Sequence, residues 1–216
     1  MHSKYKAGGL ETEFEPGSRR RVLRNQLGIR SAREMARAES EALLTTTERM
    51  IDETRVDQRF TSADIRRMHK LWLGDIYAWA GEYRSVNIGK GGFLFAVAKG
   101  IPQMMLDFEK GPLRDYTPCR FVQRNDQARA LGVVHAELIL IHPFREGNGR
   151  CARLLAMLMG LQGNLPPLDF GGIRGEAKCG YIAALHSAVE RDYAPITEVF
   201  GATIERTMRR RARALL

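Results

Sequence analysis

Apolar residues recur at spacings of three and four along much of the chain, which is the pattern of amphipathic helices. A clear case follows the helix-start sequence Thr61-Ser62-Ala63-Asp64. Its buried face is predicted to consist of Ile65, Met68, His69, Trp72 and Ile76. A histidine on such a face is more often a hydrogen-bonded core residue than a ligand. His69 is therefore predicted to be structural.

The same periodicity predicts helices along most of the remaining chain. Ser31-Ala32-Arg33-Glu34 has the capping-box pattern, in which a hydroxyl and a carboxylate satisfy each other's backbone donors, and it opens a helix to about Met50. Further helices are predicted at about 102–110, ended by Gly111-Pro112, and at about 121–141, 150–161, 177–191 and 195–213. In the segment 121–141 we expect inward-facing Leu131, Val134, Leu138 and Ile141, with His135 and Glu137 on other faces.

One stretch has the period of two that is typical of strands. Gly81 to Ile88 alternates, Gly89-Lys90-Gly91-Gly92 is a turn sequence, and Phe93 to Val97 forms a second short apolar run. This predicts a β-hairpin in an otherwise helical protein. A lone hairpin is marginal in water, so we expect it to lie against the helices, where it could form a lip over a site.

These elements predict one all-α domain with a small β-hairpin, because no repeat and no convincing linker divides the 216 residues. Residues 1–30 are predicted to be an N-terminal arm that packs on the core. Residues 31–216 form the remainder, ending in a basic helix.

The net charge of +9 lies in two short arginine runs, within 19–24 and 206–213. Solvated tails, or a helix end that complements its dipole, are favoured over a nucleic-acid site; an acidic partner protein is a third interpretation. No apolar run is long enough to span a membrane. Three scattered cysteines indicate a reducing compartment and argue against a zinc site. A cytoplasmic protein is expected, acting in its own cell or after delivery into another.

The densest polar cluster runs from His142 to Arg153 between two apolar helical runs. Gly147-Asn148-Gly149 immediately precedes a helix, so its backbone N–H groups can converge with the free donors of the first helical turn on an anion. Arg150 and Arg153 are three residues apart and suit multidentate phosphate contacts. Together these groups predict a polyphosphate site.

Two further residues give that site a chemistry. Glu146 would repel phosphate unless a bridging Mg²⁺ lay between them, since magnesium takes one or two carboxylates with phosphate oxygens. His142 is placed to act as the general base, because an unperturbed imidazole is largely neutral at physiological pH. Pro143 and Phe144 are expected to stiffen and anchor the loop, and Arg145 to face solvent.

At these residues the chain resembles the Fic (filamentation induced by cAMP) family, whose signature is His-x-Phe-x-Asp/Glu-Gly-Asn-Gly-Arg-x-x-Arg. Every fixed position from His142 to Arg153 is met. The resemblance extends to the segment Trp79 to Arg84, to the hairpin, which is similar to the family's flap, and to the arm. It implies a Fic-like helical bundle with a flap, and a catalytic domain over 31–216.

The activity implied by the resemblance is transfer of AMP from ATP to a protein hydroxyl. His142 would deprotonate the target Ser, Thr or Tyr, and Glu146 would hold Mg²⁺. Gly147, Asn148 and Gly149 would cradle the phosphates, Arg153 would hold the terminal phosphate, and Arg150 would assist at the phosphates or brace the loop. The flap, with Lys90, Gly91, Gly92 and Phe93, would hold the target segment extended by strand addition.

The resemblance also bears on regulation. Many Fic proteins are inhibited by a helix with Ser/Thr-x-x-x-Glu-Gly/Asn, whose glutamate pairs with the second motif arginine. No glutamate in these residues has Ser or Thr four positions before it. This suggests the class of toxins whose inhibitor is a separate small antitoxin.

Three alternatives to AMP transfer remain open at this point. A Doc-like kinase would transfer the γ-phosphate, but Doc-type proteins depart from the Gly-Asn-Gly pattern that this chain keeps. A nucleotide-binding scaffold would need neither His142 nor Glu146. Binding of nucleic acid through the arginine runs could coexist with AMP transfer.

Overall fold

A computed structural model of the protein describes residues 10–91 and 93–214. The fold is mostly helical with one two-stranded hairpin, which confirms the predicted class. The helices are α1 (Ala32–Glu53), α2 (Ser62–Leu73), α3 (Ile101–Phe108), α4 (Arg114–Tyr116), α5 (Arg124–Ile141), α6 (Asn148–Gln162), α7 (Glu176–Ser187) and α8 (Ala194–Ala214). The strands are β1 (Gly89–Lys90) and β2 (Phe93–Leu94), which pair antiparallel.

Helix α5 is the centre of the fold and lies against both α6 and α8. Its predicted inward residues Leu131, Val134, Leu138 and Ile141 are all buried. His135 lies on another face of α5, as expected, and is nevertheless buried, at 1% exposure. His135 Nε2 shares a hydrogen bond of 2.8 Å with the hydroxyl of Tyr181. Helices α7 and α8 cover this side of α5, so the helix is apolar around most of its circumference.

Both predicted helix starts have a side-chain cap, but the complete capping box predicted at Ser31 forms at Thr61 instead. At the start of α2 the Thr61 hydroxyl accepts from the Asp64 N–H, and the Asp64 carboxylate accepts from the Thr61 N–H at 2.8 Å. Ser31 caps α1 by accepting from the Glu34 N–H at 3.4 Å. Each hydroxyl satisfies a donor that the first turn leaves without an intrahelical partner.

The hairpin is shorter than predicted, since only Gly89–Lys90 and Phe93–Leu94 are strands and 81–88 forms turns and irregular chain. The physical reason is a competing hydrogen-bond donor. The guanidinium of Arg84 donates to the carbonyls of Val86 and Ala96 at 2.6 and 2.5 Å. The two carbonyls lie on the two limbs of the hairpin, and that of Val86, which the next pair of a longer ladder would use, is satisfied by Arg84 instead.

The predicted helix end at Gly111-Pro112 was also wrong. The chain continues from α3 through a wide π turn, Glu109–Leu113, into α4. The N–H of Arg114 donates back to the carbonyls of Glu109 and Gly111. The looser turn accommodates Pro112, which has no N–H to donate and would break a regular α-helix.

The described part of the arm, residues 10–30, is held by a bridge between Phe14 and Leu23 and by the buried side chain of Val22; residues 1–9 lie outside the described part. Many of the clustered arginines have local partners: Arg24 lies 3.7 Å from Glu15. Arg206 and Arg210 both contact Asp169, at 3.0 and 3.1 Å. These contacts fit the structural interpretation of the basic runs. Among the described residues no helix is long and apolar enough to cross a membrane.

Candidate active site

The base predicted from the motif lies where α5 ends. His142 adopts the left-handed conformation, with φ of +52°, and its N–H donates to the Leu138 carbonyl at 3.0 Å. A left-handed residue terminates a helix, and a non-glycine residue there is strained by about 1 kcal/mol. The turn redirects the chain sharply, so the His142 side chain faces a cleft of about 620 Å³.

One nitrogen of the His142 ring is committed to the protein. Nδ1 lies 2.9 Å from the Ile139 carbonyl and must donate its proton to it. The ring of Phe95 stacks on the imidazole at 3.6 Å between centroids. Nε2 is left as the unprotonated nitrogen of the neutral ring, and it has no hydrogen-bond partner in the described part of the chain.

The environment of His142 keeps the ring neutral. Burial lowers its pKa to about 4, and the positive charge of Arg84 acts in the same direction. The hydrogen bond to Ile139 raises the pKa and opposes these effects only in part. At neutral pH the imidazole can therefore accept a proton, as a general base must.

The buried side chains of Asn148 and His69 hold the loop between α5 and α6. The Asn148 side chain accepts from the Phe144 N–H at 2.8 Å and donates to the Phe144 carbonyl at 2.7 Å. Phe144 stacks on His69 at 3.8 Å. His69 accepts from the Gly81 N–H at 2.9 Å, so its other nitrogen donates to the Glu146 carbonyl at 3.0 Å. His69 is therefore a hydrogen-bonded core residue, as predicted. Because both polar atoms of the Asn148 side chain bind Phe144, only the backbone of Asn148 is available to a ligand in the cleft.

The start of α6 presents unpaired donors to the cleft. The N–H groups of Asn148 and Gly149 have no acceptor among residues 10–91 and 93–214, as expected for the first turn of a helix. Gly147 is at φ +84°, and a Cβ there would lie 2.6 Å from the Trp72 ring. The close packing of this glycine on Trp72 shapes the turn at the start of α6, where unpaired N–H groups can bind an anion.

Arg150 is held by the protein and not free in the cleft. Its guanidinium contacts the Glu39 carboxylate at 2.7 Å and the Glu146 carboxylate at 3.3 Å. It also lies over the face of Trp72, 4.5 Å from the ring centre. Of the two roles that the resemblance implied for Arg150, this geometry supports bracing of the loop.

Arg153, one turn further along α6, lines the cleft and is half-buried. Burial lowers its pKa, and Arg150 adds to that effect. Within the described ranges no carboxylate lies within ion-pair distance of it. A partly desolvated guanidinium of this kind favours an anionic ligand such as a phosphate.

The Glu146 side chain is exposed at the rim of the same cleft. One of its oxygens accepts from the Gly147 N–H at 2.9 Å. The described residues contain no group of three or more metal-ligating side chains. A single carboxylate beside a phosphate site nevertheless fits Mg²⁺, which keeps several waters and takes its other ligands from a nucleotide.

The flap covers one side of the cleft. Ile88, Gly89, Lys90 and Phe95 contribute to its lining, opposite the motif. Phe93 contacts both Phe95 and the α7 residue His186, with ring centres 5.3 and 5.2 Å apart. Of the flap residues predicted to dock a target, Gly92 lies outside the described residues. The backbone of the other three forms the hairpin and its turn.

The contacts of three residues at the site were not predicted from the sequence. Arg145 was expected in solvent but is half-buried, and it donates to the Glu11 carbonyl of the arm at 3.0 Å. Glu39 and Arg84 lie 6% and 2% exposed and bind the motif from distant segments. The only sequence signal for Glu39 is a carboxylate on the otherwise inward face of α1, and for Arg84 its place in the segment that resembles the family.

A family model and several curated proteins match this chain. The family model described as "Fic/DOC family" matches residues 59–159. The chain is 30% identical over 167 residues to the probable protein adenylyltransferase Fic of Escherichia coli K12, covering 72% of this chain and 76% of that protein. It is 32% identical over 133 residues to the protein adenylyltransferase VbhT of Bartonella schoenbuchensis, covering 61% of this chain and 27% of VbhT. The match to fic-1 of Caenorhabditis elegans likewise spans 28% of that protein.

Solved structures share the fold. The N-terminal Fic domain of a Bartonella effector protein from Bartonella sp. AR 15-3 superposes with a TM-score of 0.72 at 19% identity, over 95% of this chain and 94% of that one. BepC of Bartonella tribocorum, solved with bound AMPPNP, gives 0.67 at 20% identity, over 84% and 91%. With the complete motif, the shared helical fold and the Escherichia coli relative all in agreement, this chain belongs to the Fic/DOC family.

Proposed function

We propose that this protein transfers AMP from ATP to a Ser, Thr or Tyr hydroxyl of a target protein and releases pyrophosphate. The observation that carries the proposal is the pairing in one cleft of a neutral imidazole, with Nε2 free, and an anion site at the start of α6. The relatives VbhT and fic-1 carry the name protein adenylyltransferase without qualification. The chain spans only a little over a quarter of each of them, so the activity and its target are proposals here.

In the proposed reaction His142 Nε2 accepts the proton of the target hydroxyl as its oxygen attacks the α-phosphorus. The bond from that phosphorus to the bridging oxygen breaks, and the electron pair leaves with pyrophosphate. The N–H groups of Asn148 and Gly149 hold phosphate oxygens, and Arg153 holds the terminal phosphate. Mg²⁺ held by Glu146 would neutralise phosphate charge. The remaining task of the protein is to position the reactants, which is the main source of rate in phosphoryl-type transfer.

The target is proposed to dock along the flap as an added strand. The strands β1 and β2 form an isolated pair, and Lys90 and Leu94 are exposed. Such an edge offers unpaired backbone groups to an extended peptide. Phe95 and His142 lie beneath it, so a docked hydroxyl would come close to the base.

We propose that the inhibitory glutamate is supplied by a separate small antitoxin and that this protein is the toxin of the pair, acting in a cytoplasm. The support is the motif missing from the 216 residues, together with an Arg153 that no described carboxylate engages. Co-purification of a small protein that contains Ser/Thr-x-x-x-Glu-Gly/Asn would support this. Equal activity of the protein expressed alone and with that small protein would rule it out.

The test of the reaction uses ATP labelled at different phosphates. The protein and its His142→Ala variant are incubated with Mg²⁺, a bacterial lysate and ATP labelled at the α- or the γ-phosphate. We expect a protein band labelled from α-labelled ATP and absent with the variant. Label from γ-labelled ATP would indicate a kinase, and no label from either, with ATP still bound, would indicate a scaffold.

A further inference from the structure

Arg84 makes an unusual set of contacts for a side chain that is 2% exposed. Its Nε donates to the His142 carbonyl at 2.7 Å, and one terminal nitrogen reaches the Ile141 carbonyl at 3.4 Å. Its backbone N–H donates to the Pro143 carbonyl at 2.8 Å. Arg84 thus binds three consecutive carbonyls at the end of α5, and the middle one belongs to His142, the proposed base.

The same guanidinium also holds the flap. It donates to the Val86 carbonyl at 2.6 Å on the limb before β1 and to the Ala96 carbonyl at 2.5 Å on the limb after β2. A planar fork with five donors can reach carbonyls in several directions at once, which an ammonium group cannot do equally well. The positive charge also lies at the C-terminal end of α5, where the helix dipole favours a cation.

We propose that Arg84 is a positioning residue that fixes the His142 backbone and both limbs of the flap as one rigid unit. The base and the target-docking edge then keep a constant separation, although the hairpin has only two residue pairs of its own. The proposal rests on the proposed AMP transfer for its kinetic consequences. Its structural consequence, a tethered flap, does not depend on that reaction.

The kinetic test compares Arg84→Lys with the wild-type protein. Lysine keeps the charge and the stem but loses the fork. We expect kcat to fall about tenfold to a hundredfold and the KM for the target to rise, because small displacements of a reacting group are costly. The KM for ATP should stay within about twofold, since the phosphates bind at the start of α6, which Arg84 does not touch.

The matched control is Arg66→Lys. Arg66 also contacts this segment, through the Gly81 carbonyl at 2.8 Å and the Glu82 carboxylate, but neither flap limb nor His142. This variant should keep wild-type kinetics. If both variants lose activity equally, or if a folded Arg84→Lys protein has wild-type kinetics, the proposal is wrong.

A second measurement is independent of activity. Lys90 is exposed at the flap, and trypsin cleavage after it reports how often the hairpin detaches. We expect cleavage of Arg84→Lys to be about tenfold faster than that of wild type and of Arg66→Lys, with unchanged circular dichroism. An unchanged rate of cleavage in Arg84→Lys would show that Arg84 does not tether the flap. If wild type transfers no AMP but Arg84→Lys is cleaved faster, the proposed function fails and the tether stands.

Discussion

Gly147 and Gly149 lie two residues apart, and each lacks a side chain for a different physical reason. Gly147 is required by the fold, because its φ is +84° and a Cβ would lie 2.6 Å from Trp72. Gly149 has no such restriction: a Cβ there would meet only the Arg153 guanidinium at 3.7 Å, an ordinary contact. Its lack of a side chain matters for the proposed anion site, since it keeps the approach to the unpaired N–H groups open.

These differences predict opposite outcomes for the same substitution. Gly147→Ala should lower the free energy of unfolding by about 2 kcal/mol or more, through backbone strain and the clash with Trp72. Gly149→Ala should leave stability unchanged or raise it by up to about 1 kcal/mol, because alanine is the better helix former.

The two variants are compared by urea unfolding and by calorimetric titration with ATP. Gly149→Ala should bind ATP about tenfold more weakly, a loss of about 1.4 kcal/mol, while it remains fully folded. If Gly149→Ala binds ATP as the wild type does, the anion site does not lie at the start of α6.

At the scale of elements, α1 is coupled to the motif through one carboxylate. Glu39 accepts from the Tyr77 hydroxyl at 2.7 Å and contacts Arg150 at 2.7 Å. The Glu39 carbonyl also accepts from the Trp72 indole N–H at 2.8 Å. Helices α1, α2 and α6 thus meet at a buried ion pair, which places the loop between α5 and α6 relative to the rest of the fold.

Removal of the Glu39 carboxylate should lower the stability of the fold. Glu39→Ala leaves the Arg150 guanidinium without its shorter ion pair in a largely buried site, so we expect a loss of about 3 kcal/mol in the free energy of unfolding and reduced AMP transfer. Glu41→Ala, two residues further along α1, removes an exposed partner of Arg37 and should leave the free energy of unfolding almost unchanged. Equal losses in urea unfolding of the two variants would contradict the bracing role of Arg150.

At the scale of the whole molecule, three histidines are held in their neutral form by burial. The pKa of His69, of His135 and of His142 is lowered to about 4, in each case chiefly by desolvation. Below their ordinary pKa of 6.5 the unfolded chain takes up protons that the folded protein cannot. Stability from these groups is therefore fully present above pH 6.5 and is lost as the pH falls toward 4.

These lowered pKa values predict that the free energy of unfolding falls steeply as the pH drops below 6.5. His69 and His135, the two most buried, should together lower the free energy of unfolding by up to about 3 kcal/mol for each pH unit between 6.5 and 5. Urea unfolding at a series of pH values measures the slope. His135→Gln should remove nearly half of the slope assigned to this pair, whereas a flat profile between pH 6.5 and 5 would show that the rings are protonated in the folded state.

Local sequence determined much of this protein. The three- and four-residue periodicity places α2, α5 and α6, and the caps at Ser31 and Thr61 follow from the side chains themselves. Gly147-Asn148-Gly149 before an apolar run is enough to predict an anion site at a helix start, because that chemistry depends on neighbouring backbone groups. The resemblance to the Fic family rests on the same contiguous stretch.

Only the tertiary structure decided which distant groups contact the motif. Arg84, Glu39 and Glu11 reach the motif from segments distant in sequence, so no local pattern reports their contacts. Arg150 contacts Glu39, which favours a bracing role over a place at the phosphates, and Arg84 takes up the Val86 carbonyl that a longer ladder would use. Periodicity identifies a buried face, but the choice of partner for a buried polar group depends on which helices meet there.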